Sequence, residues 1–260
     1  MYKRVVVKVG TASLTHPTGK LHLERLDKLA RVLSDMKNSG LEVILVTSGA
    51  VGTGAAALNL PGRPDSLCGK QAAAAVGQCR LMHVYDQLFA EYGHTVAQIL
   101  VTHNDLTVPG GNDPLLNTFN TLLFWGVLPV VNENDSVSPM EIQTGQSVSG
   151  ENDTLSALVA ALVRADLLVL LSDYDGFYTG DPRTNPDARK IPRISAVTDE
   201  IRQYSGGAGT SNGTGGMTTK LAAAAIALDR GFPMVIAQGS DPAVLYRVLR
   251  GEDVGTVFAK

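Results

Sequence analysis

The 260-residue sequence is poor in cysteine and contains no long apolar run. Its two cysteines, Cys68 and Cys79, are too few for a disulfide framework, and no histidine lies close enough to them to suggest a zinc site. We therefore predict two buried thiols in a reducing compartment. No run of about 18 apolar residues is present that could span a bilayer. The first ten residues, MYKRVVVKVG, resemble a strand rather than a signal peptide. These absences predict a cytoplasmic location.

The sequence also lacks an excess of positive charge. Lys and Arg total 22 against 25 Asp and Glu, so the net charge is −3, and no basic face for nucleic acid is indicated. A 44% hydrophobic composition favours a folded chain over a disordered one. Between Arg80 and Arg164 there is no lysine or arginine. Nine acids fall in this interval. We interpret the first four as a solvated face: Asp86, Glu91, Asp105 and Asp113. The last five bracket a polar loop: Glu133, Asp135, Glu141, Glu151 and Asp153.

The usual hydrolase motifs are missing as well. None of the five histidines follows a predicted strand beside a nucleophile, and there is no Gly-x-Ser-x-Gly elbow, His-Glu-x-x-His motif or Cys/His pair. A reaction that needs no general base remains compatible with the sequence. A carboxylate acceptor is already ionised at pH 7, so its phosphorylation depends mainly on positioning and on stabilisation of charge.

Alternating apolar runs and helical patterns predict the fold. Near-continuous β-branched runs are typical of parallel strands buried on both faces, and we predict them at Arg4–Val9, 43–47, Val96–Val101, 127–131, 167–171 and 234–237. Helices are predicted between them at 21–38, 72–91, 113–125, 154–163, 216–229 and 242–250. This alternation indicates an α/β fold, a three-layer αβα sandwich with a mostly parallel central sheet. We expect one domain over residues 1–260.

Polar or small residues follow four of the predicted strands. The segments are Lys8-Val-Gly10-Thr11, Ser48-Gly49-Ala50, Asn132-Glu-Asn-Asp135 and Ser172-Asp173. Because ligands of such sheets bind beyond the carboxyl ends of the strands, these segments predict a ligand site.

A glycine-rich loop at 209–220 runs into an alanine-rich helix and ends in Lys220. Backbone N–H groups, the helix N-terminus and the lysine charge together suit a polyphosphate, although the pattern is not a P-loop. The alternative interpretation of residues 209–220 is a flexible surface loop.

Lys8 lies inside an apolar strand, where desolvation is costly unless the ammonium meets an anion. Its alternative is a snorkelling edge lysine.

The glycines at 49–54 do not indicate a dinucleotide fold, because Gly52 lies too far from the strand end and no acid ends a following strand. An anion nest at Ser48-Gly49-Ala50 that holds a substrate carboxylate fits better. The cation-free segments 132–135 and 150–154 are suited to an ammonium group or a metal–phosphate complex. Thr154 or Asp153 could instead cap the following helix.

Seven ordered motifs resemble the amino-acid kinase family, over essentially the whole chain from Lys3 to about Phe258. Four of the motifs are residues 7–11 around Lys8, 46–50 around Ser48, 131–135 ending in Asp135 and 150–157 around Asp153. The other three are Lys70-Gln-Ala-Ala-Ala-Ala-Val-Gly-Gln78, Asp181-Pro-Arg183 and Gly-Thr-Gly-Gly-Met-Thr-Thr-Lys220. The resemblance is to members that phosphorylate the γ-carboxylate of L-glutamate with ATP and Mg²⁺, the first step of proline biosynthesis. Sibling kinases acting on N-acetylglutamate, aspartate, carbamate or a nucleoside monophosphate are the alternative, as is a silent sensor of ATP and glutamate.

The resemblance also implies roles for individual residues. Lys8 and Lys220 would flank the transferred phosphoryl group, and Asp153 would organise those lysines or the Mg²⁺ complex. Glutamate would be held by Ser48, Gly49, Ala50, Asp135 and Asn152. ATP would be bound by Lys8, Gly10, Thr11, Ser172, Asp173, Thr214, Gly215, Gly216, Met217, Thr218, Thr219 and Lys220, and its phosphates would carry Mg²⁺ with no protein ligand.

At the level of the whole chain, the resemblance implies a glutamate-binding lobe at about 1–160 and an ATP-binding lobe at about 161–260. We expect no C-terminal PUA module, although many bacterial members carry one. We further expect a homodimer or homotetramer, proline as a feedback inhibitor and coupling to a glutamyl phosphate reductase.

Overall fold

The structure, a computed structural model, describes residues 2–16, 18–107, 113–137, 152–205 and 216–260. Within these ranges eight strands form one sheet in the order β3-β4-β2-β1-β5-β9-β10-β8, and β6 and β7 form a separate antiparallel ribbon. All neighbours in the large sheet are parallel except β9 and β10. The strands are β1 Arg4–Val9, β2 Glu42–Val46, β3 Val96–Val101, β4 Leu128–Glu133, β5 Leu167–Ser172, β6 Phe177–Tyr178, β7 Lys190–Ile191, β8 Arg193–Ile194, β9 Met234–Gln238 and β10 Thr256–Phe258.

The helices connect the strands and lie on both faces of the sheet. They are α1 Thr11–Leu14, α2 Leu23–Asn38, α3 Ala50–Ala57, α4 Leu67–Ala90, α5 His103–Thr107, α6 Asp113–Phe124, α7 Asn152–Leu162, α8 Asp199–Ser205, α9 Met217–Arg230 and α10 Val244–Leu249. In the described part of the chain none of these helices combines the length and the apolar character needed to cross a membrane.

Two hydrophobic layers sandwich the sheet, and β1 contributes to both because its side chains alternate between the faces. Val6 packs in one layer with side chains of α7 and α9, such as Val159 and Ala223. Val5 and Val7 pack in the other layer with side chains of α2 and α4. Strands buried on both faces explain the near-continuous apolar runs, and the predicted αβα sandwich is confirmed.

The predicted thiol burial is wrong. Cys68 and Cys79 are both exposed. The buried face of α4 is a stripe at a spacing of four residues that includes Gly77, Leu81 and Tyr85, and Cys79 lies off this stripe.

Helix α3 was not predicted from the sequence, because Gly52 and Gly54 give it low intrinsic helix propensity. Its packing against α4 explains part of this composition. A Cβ atom on Gly54 would overlap the carbonyl oxygen of Ala73 in α4, and one on Gly77 would overlap the carbonyl oxygen of Ala50. The two helix backbones therefore approach so closely that no side chain fits between them at these positions.

We expect Gly54→Ala to lower the free energy of unfolding by about 3 kcal/mol, because the added methyl group meets backbone rather than a movable side chain. Gly52→Ala in the same helix is the matched control, since its Cβ would meet nothing within 4 Å. Alanine there should leave stability unchanged or raise it by up to about 1 kcal/mol. Urea denaturation of both variants measures the difference, and equal effects would contradict the close approach of α3 and α4.

Candidate active site

A carboxylate with two ammonium groups lies at the carboxyl end of β1. Lys8 is the penultimate residue of β1, Asp153 is the second residue of α7, and Lys220 lies in the first turn of α9. Lys8 Nζ lies 2.7 Å from Asp153 Oδ1 in an ion pair, and Lys220 Nζ donates a hydrogen bond to Asp153 Oδ2 at 3.1 Å. The structure thus brings together the two lysines and the aspartate that the sequence singled out.

This cluster is buried and carries more positive than negative charge. Asp153 is 0% exposed, Lys8 is 8% exposed and Lys220 is 7% exposed. Burial lowers the pKa of Lys8, and Lys220 lowers it further, although Asp153 acts in the opposite direction. Burial alone would raise the pKa of Asp153, but the two ammonium groups outweigh it and the pKa lies below its ordinary value. An additional anion is therefore the group that would balance the site electrostatically.

The Thr219 hydroxyl has hydrogen-bond partners within the protein. Its Oγ1 lies 2.9 Å from Asp153 Oδ2 and 2.8 Å from the carbonyl oxygen of Gly216, and it can donate its one proton to either acceptor. Gly216, Met217 and Thr218 accompany it at the start of α9, with Gly216 as the N-cap. Thr214 and Gly215, which the sequence also predicted to bind ATP, lie outside the described residues.

The ends of β1 and β2 meet beside the lysines. Ser48 Oγ lies 3.1 Å from Thr11 Oγ1 and donates a hydrogen bond to the carbonyl oxygen of Val9 at 3.2 Å. Gly49 has a φ of 92°, a left-handed conformation that turns the chain so that α3 begins at Ala50. A Cβ on Gly10 would lie 3.5 Å from Lys8 Nζ, so this backbone adjoins the ammonium group.

The end of β4 supplies the acidic side of the site. Burial raises the pKa of Asp135 to about 6, Glu133 adds to the shift, and Arg63 opposes it. Asn152 begins α7, so the predicted helix start at 154 is wrong. Asp153 and Thr154 lie inside the first turn, so the alternative in which either residue caps the helix is also wrong. Most of the 136–150 loop, which separates Asp135 from Asn152, lies outside the described residues.

The end of β5 carries Ser172 and Asp173, and Arg183 of the Asp181-Pro-Arg183 motif lies against it. Arg183 pairs with Asp173 at 2.7 Å, and its guanidinium carbon lies 4.2 Å from the centroid of the Tyr174 ring. Tyr174 in turn donates a hydrogen bond to Asp181 at 3.2 Å. The spacing from Asp173 to Arg183 showed no periodic pattern, so only the Asp-Pro-Arg motif signalled this contact.

The described residues contain no group of three or more His, Cys, Asp or Glu side chains arranged to hold a metal ion. Asp153, the buried carboxylate of the site, has both oxygens in contact with ammonium groups. A divalent cation at this site would therefore need ligand oxygens from a bound substrate.

Buried ammonium groups that can bind an anion, placed at the carboxyl edge of a parallel sheet between two helix layers, are typical of a phosphotransferase. A family model described as "Amino acid kinase family" matches residues 3–238. The chain belongs to this family.

Its curated relatives include glutamate 5-kinases. The one from Clostridium perfringens is 50% identical over 256 residues, which cover 98% of this chain and 95% of the relative. The one from Symbiobacterium thermophilum is 52% identical over 258 residues, or 99% and 96% of the two chains. The one from Carboxydothermus hydrogenoformans is 53% identical over 257 residues and is longer, so that the match covers 98% of this chain and 68% of the relative.

Solved structures share the fold. UMP kinase from Bacillus anthracis matches with a TM-score of 0.65 at 20% identity, over 99% of this chain and 96% of its own. The product complex of isopentenyl phosphate kinase from T. acidophilum matches with a TM-score of 0.66 at 18% identity, over 98% of this chain and 100% of its own. At these identities the likeness establishes the fold alone.

Proposed function

We propose that this chain transfers the γ-phosphoryl group of ATP to the γ-carboxylate of L-glutamate, the first step of proline biosynthesis. The observation that carries the proposal is the pair of buried ammonium groups on one buried carboxylate, Lys8 and Lys220 on Asp153. Glutamate 5-kinases that are about half identical over nearly the whole chain support the choice of acceptor. A cytoplasmic location remains part of this proposal.

In this mechanism a γ-carboxylate oxygen attacks the γ-phosphorus, a new P–O bond forms, and the bond to the oxygen of the β-phosphate breaks. No proton moves, because the acceptor is already ionised. Lys8 and Lys220 stabilise the charge on the oxygens of the migrating group, and Asp153 holds both ammonium groups in place before the reaction. Mg²⁺, held by the phosphate oxygens of ATP, would neutralise part of their charge.

The two substrates would approach from opposite sides of the lysines. We assign ATP to Gly10, Thr11, Ser172, Asp173 and the start of α9, and glutamate to Ser48, Gly49, Ala50, Asp135 and Asn152. Apart from Gly10 and Thr11, which bind ATP from the first lobe, this assignment follows the two lobes predicted at about 1–160 and 161–260. Homo-oligomerisation, inhibition by proline and transfer of the product to a glutamyl phosphate reductase remain predictions.

Hydroxylamine trapping tests the function, since it converts an acyl phosphate into a hydroxamate. We expect hydroxamate and ADP in equal amounts, both dependent on glutamate. Formation of ADP with aspartate or N-acetylglutamate, and none with glutamate, would identify a sibling kinase instead. Binding of ATP and glutamate without ADP formation would identify a sensor.

The raised pKa of Asp135 predicts a pH dependence of glutamate binding. A carboxyl with a pKa of about 6 is mostly neutral at pH 5 and mostly ionised at pH 7, and the ionised form attracts the substrate ammonium group. The KM for glutamate should therefore be about tenfold lower at pH 7 than at pH 5. Asp135→Asn should raise the KM and remove most of this dependence. An equally steep profile in the variant would show that another group titrates.

A further inference from the structure

A chain of side-chain amides runs from the glutamate side of the site to the edge of the sheet. Asn152 Nδ2 donates to Asn132 Oδ1 at 3.0 Å, Asn132 Nδ2 donates to Gln78 Oε1 at 2.9 Å, and Gln78 Nε2 donates to Gln98 Oε1 at 3.1 Å. Asn132 is 1% exposed and Gln78 is 8% exposed. We call Asn132 and Gln78 the amide relay. It connects α7 with β4, α4 and β3. Asn132 begins the segment 132–135 that was predicted to follow a strand at the ligand site, whereas Gln78 was part of a motif to which the sequence assigned no role.

Backbone groups fix the direction of this chain. Asn152 Nδ2 also donates to the carbonyl oxygen of Thr47 at 2.6 Å, and a carbonyl oxygen can only accept. At Asn132, Oδ1 also accepts from the backbone N–H of Glu133 at 3.0 Å, and that group can only donate. Rotating either amide by 180° would place donor against donor or acceptor against acceptor. The assignment of oxygen and nitrogen therefore follows from the backbone.

This orientation of the Asn152 amide leaves its side-chain carbonyl oxygen, Oδ1, able to accept a hydrogen bond from a substrate. Both protons of Asn152 Nδ2 are used, one for Thr47 and one for Asn132. Among the described residues none donates a hydrogen bond to Asn152 Oδ1. This carbonyl oxygen belongs to the residue next to Asp153, which binds the two lysines. An acceptor in this place is matched by a substrate N–H donor, and an ammonium group is the strongest such donor.

We propose that Asn132, supported by Gln78, is a positioning residue that makes the site select acceptors with a free ammonium group. Asn132 does so by holding the side-chain carbonyl oxygen of Asn152 toward the substrate and the NH₂ group of Asn152 toward Thr47. The inference rests on the proposed function, because it concerns the amino group of glutamate. It extends that function by assigning the selection to residues that contact no substrate.

Glutarate, which is glutamate without its amino group, gives a readout that a merely structural role would not change. We compare the KM for glutamate with the inhibition constant of glutarate against glutamate, in the wild-type protein and in Asn132→Leu. Leucine is close in size to asparagine but removes one of the two acceptors for Asn152 Nδ2, so that only the Thr47 carbonyl oxygen still holds the Asn152 amide. The preference for glutamate over glutarate should fall about tenfold, while the KM for ATP stays within about twofold. An unchanged preference in folded Asn132→Leu would overturn the proposal.

Gln78 provides a matched pair of variants in case Asn132→Leu does not fold. Gln78→Leu leaves the Asn132 NH₂ group without its acceptor and should reduce the preference about threefold, since Glu133 still anchors Asn132. Gln78→Glu keeps the acceptor for Asn132 and loses only the donor to Gln98, whose exposed amide can rotate to donate instead, so this variant should retain the wild-type preference. Equal preferences in the two variants would also overturn the proposal. Absence of glutamate-dependent ADP formation in the wild-type protein would instead reject the proposed function, so the two failures are distinguishable.

Discussion

Asp153→Asn is expected to lower kcat about a hundredfold and the free energy of unfolding of the ligand-free protein by about 3 to 5 kcal/mol. The substitution keeps the shape of the side chain but removes the negative charge between Lys8 and Lys220. Two buried ammonium groups would then lie close to each other without the Asp153 carboxylate between them. Steady-state kinetics and chemical denaturation measure the two effects.

Addition of ATP and Mg²⁺ should restore part of the lost stability, because the phosphates replace the missing anion. Glu24→Gln is the control, since it breaks the ion pair of Glu24 with Lys28, whose side chains are 70% and 43% exposed. Its denaturation midpoint and kcat should be those of the wild-type protein. A variant Asp153→Asn that is as stable and as active as this control would contradict the charge balance that we describe.

Lys220→Ala is expected to lower kcat by at least about tenfold and to leave the KM for glutamate within about threefold. The reason is that its ammonium group would stabilise charge that develops during transfer rather than bind the acceptor. Lys28→Ala removes an exposed ammonium group and should leave kcat unchanged.

Lys220→Arg keeps the charge but changes its geometry, so we expect a kcat between those of the wild-type protein and Lys220→Ala. If kcat is unchanged in Lys220→Ala and the KM for glutamate rises, Lys220 belongs to acceptor binding and not to catalysis.

The fold was predictable wherever burial dominates local preference. Arg4–Val9 has the predicted bounds, because a run of apolar, mostly β-branched residues between helical segments has few alternatives in a parallel sheet. Val96–Val101 also has the predicted bounds, although only Ile99 and Val101 are buried in this edge strand. Helix α3 was missed because its glycines are favoured by packing against α4, which no local pattern reveals. The short strands β6, β7, β8 and β10 have too few residues for a periodic signal.

The site was predictable where strand ends converge. Lys8 and Lys220 are 212 positions apart in the sequence, yet both were expected near the carboxyl edge of the sheet, and both contact Asp153 there. Asn132 lies in a segment predicted to follow a strand at the site, but its contact with Gln78 was not predictable, because Gln78 lies on a helix and only tertiary packing aligns the two amides. Asp153 is buried in the first turn of α7, a helix that begins earlier than the sequence indicated.

The most direct test of the central claim, phosphoryl transfer to a carboxylate between Lys8 and Lys220, uses glutamate labelled with ¹⁸O in both γ-carboxylate oxygens. After incubation with ATP and Mg²⁺, hydroxylamine attacks the acyl carbon and releases phosphate with the bridging oxygen. We predict that each phosphate released in this way carries one ¹⁸O atom. Phosphate without the label, released at a rate independent of glutamate, would show that water is the acceptor and would contradict the account.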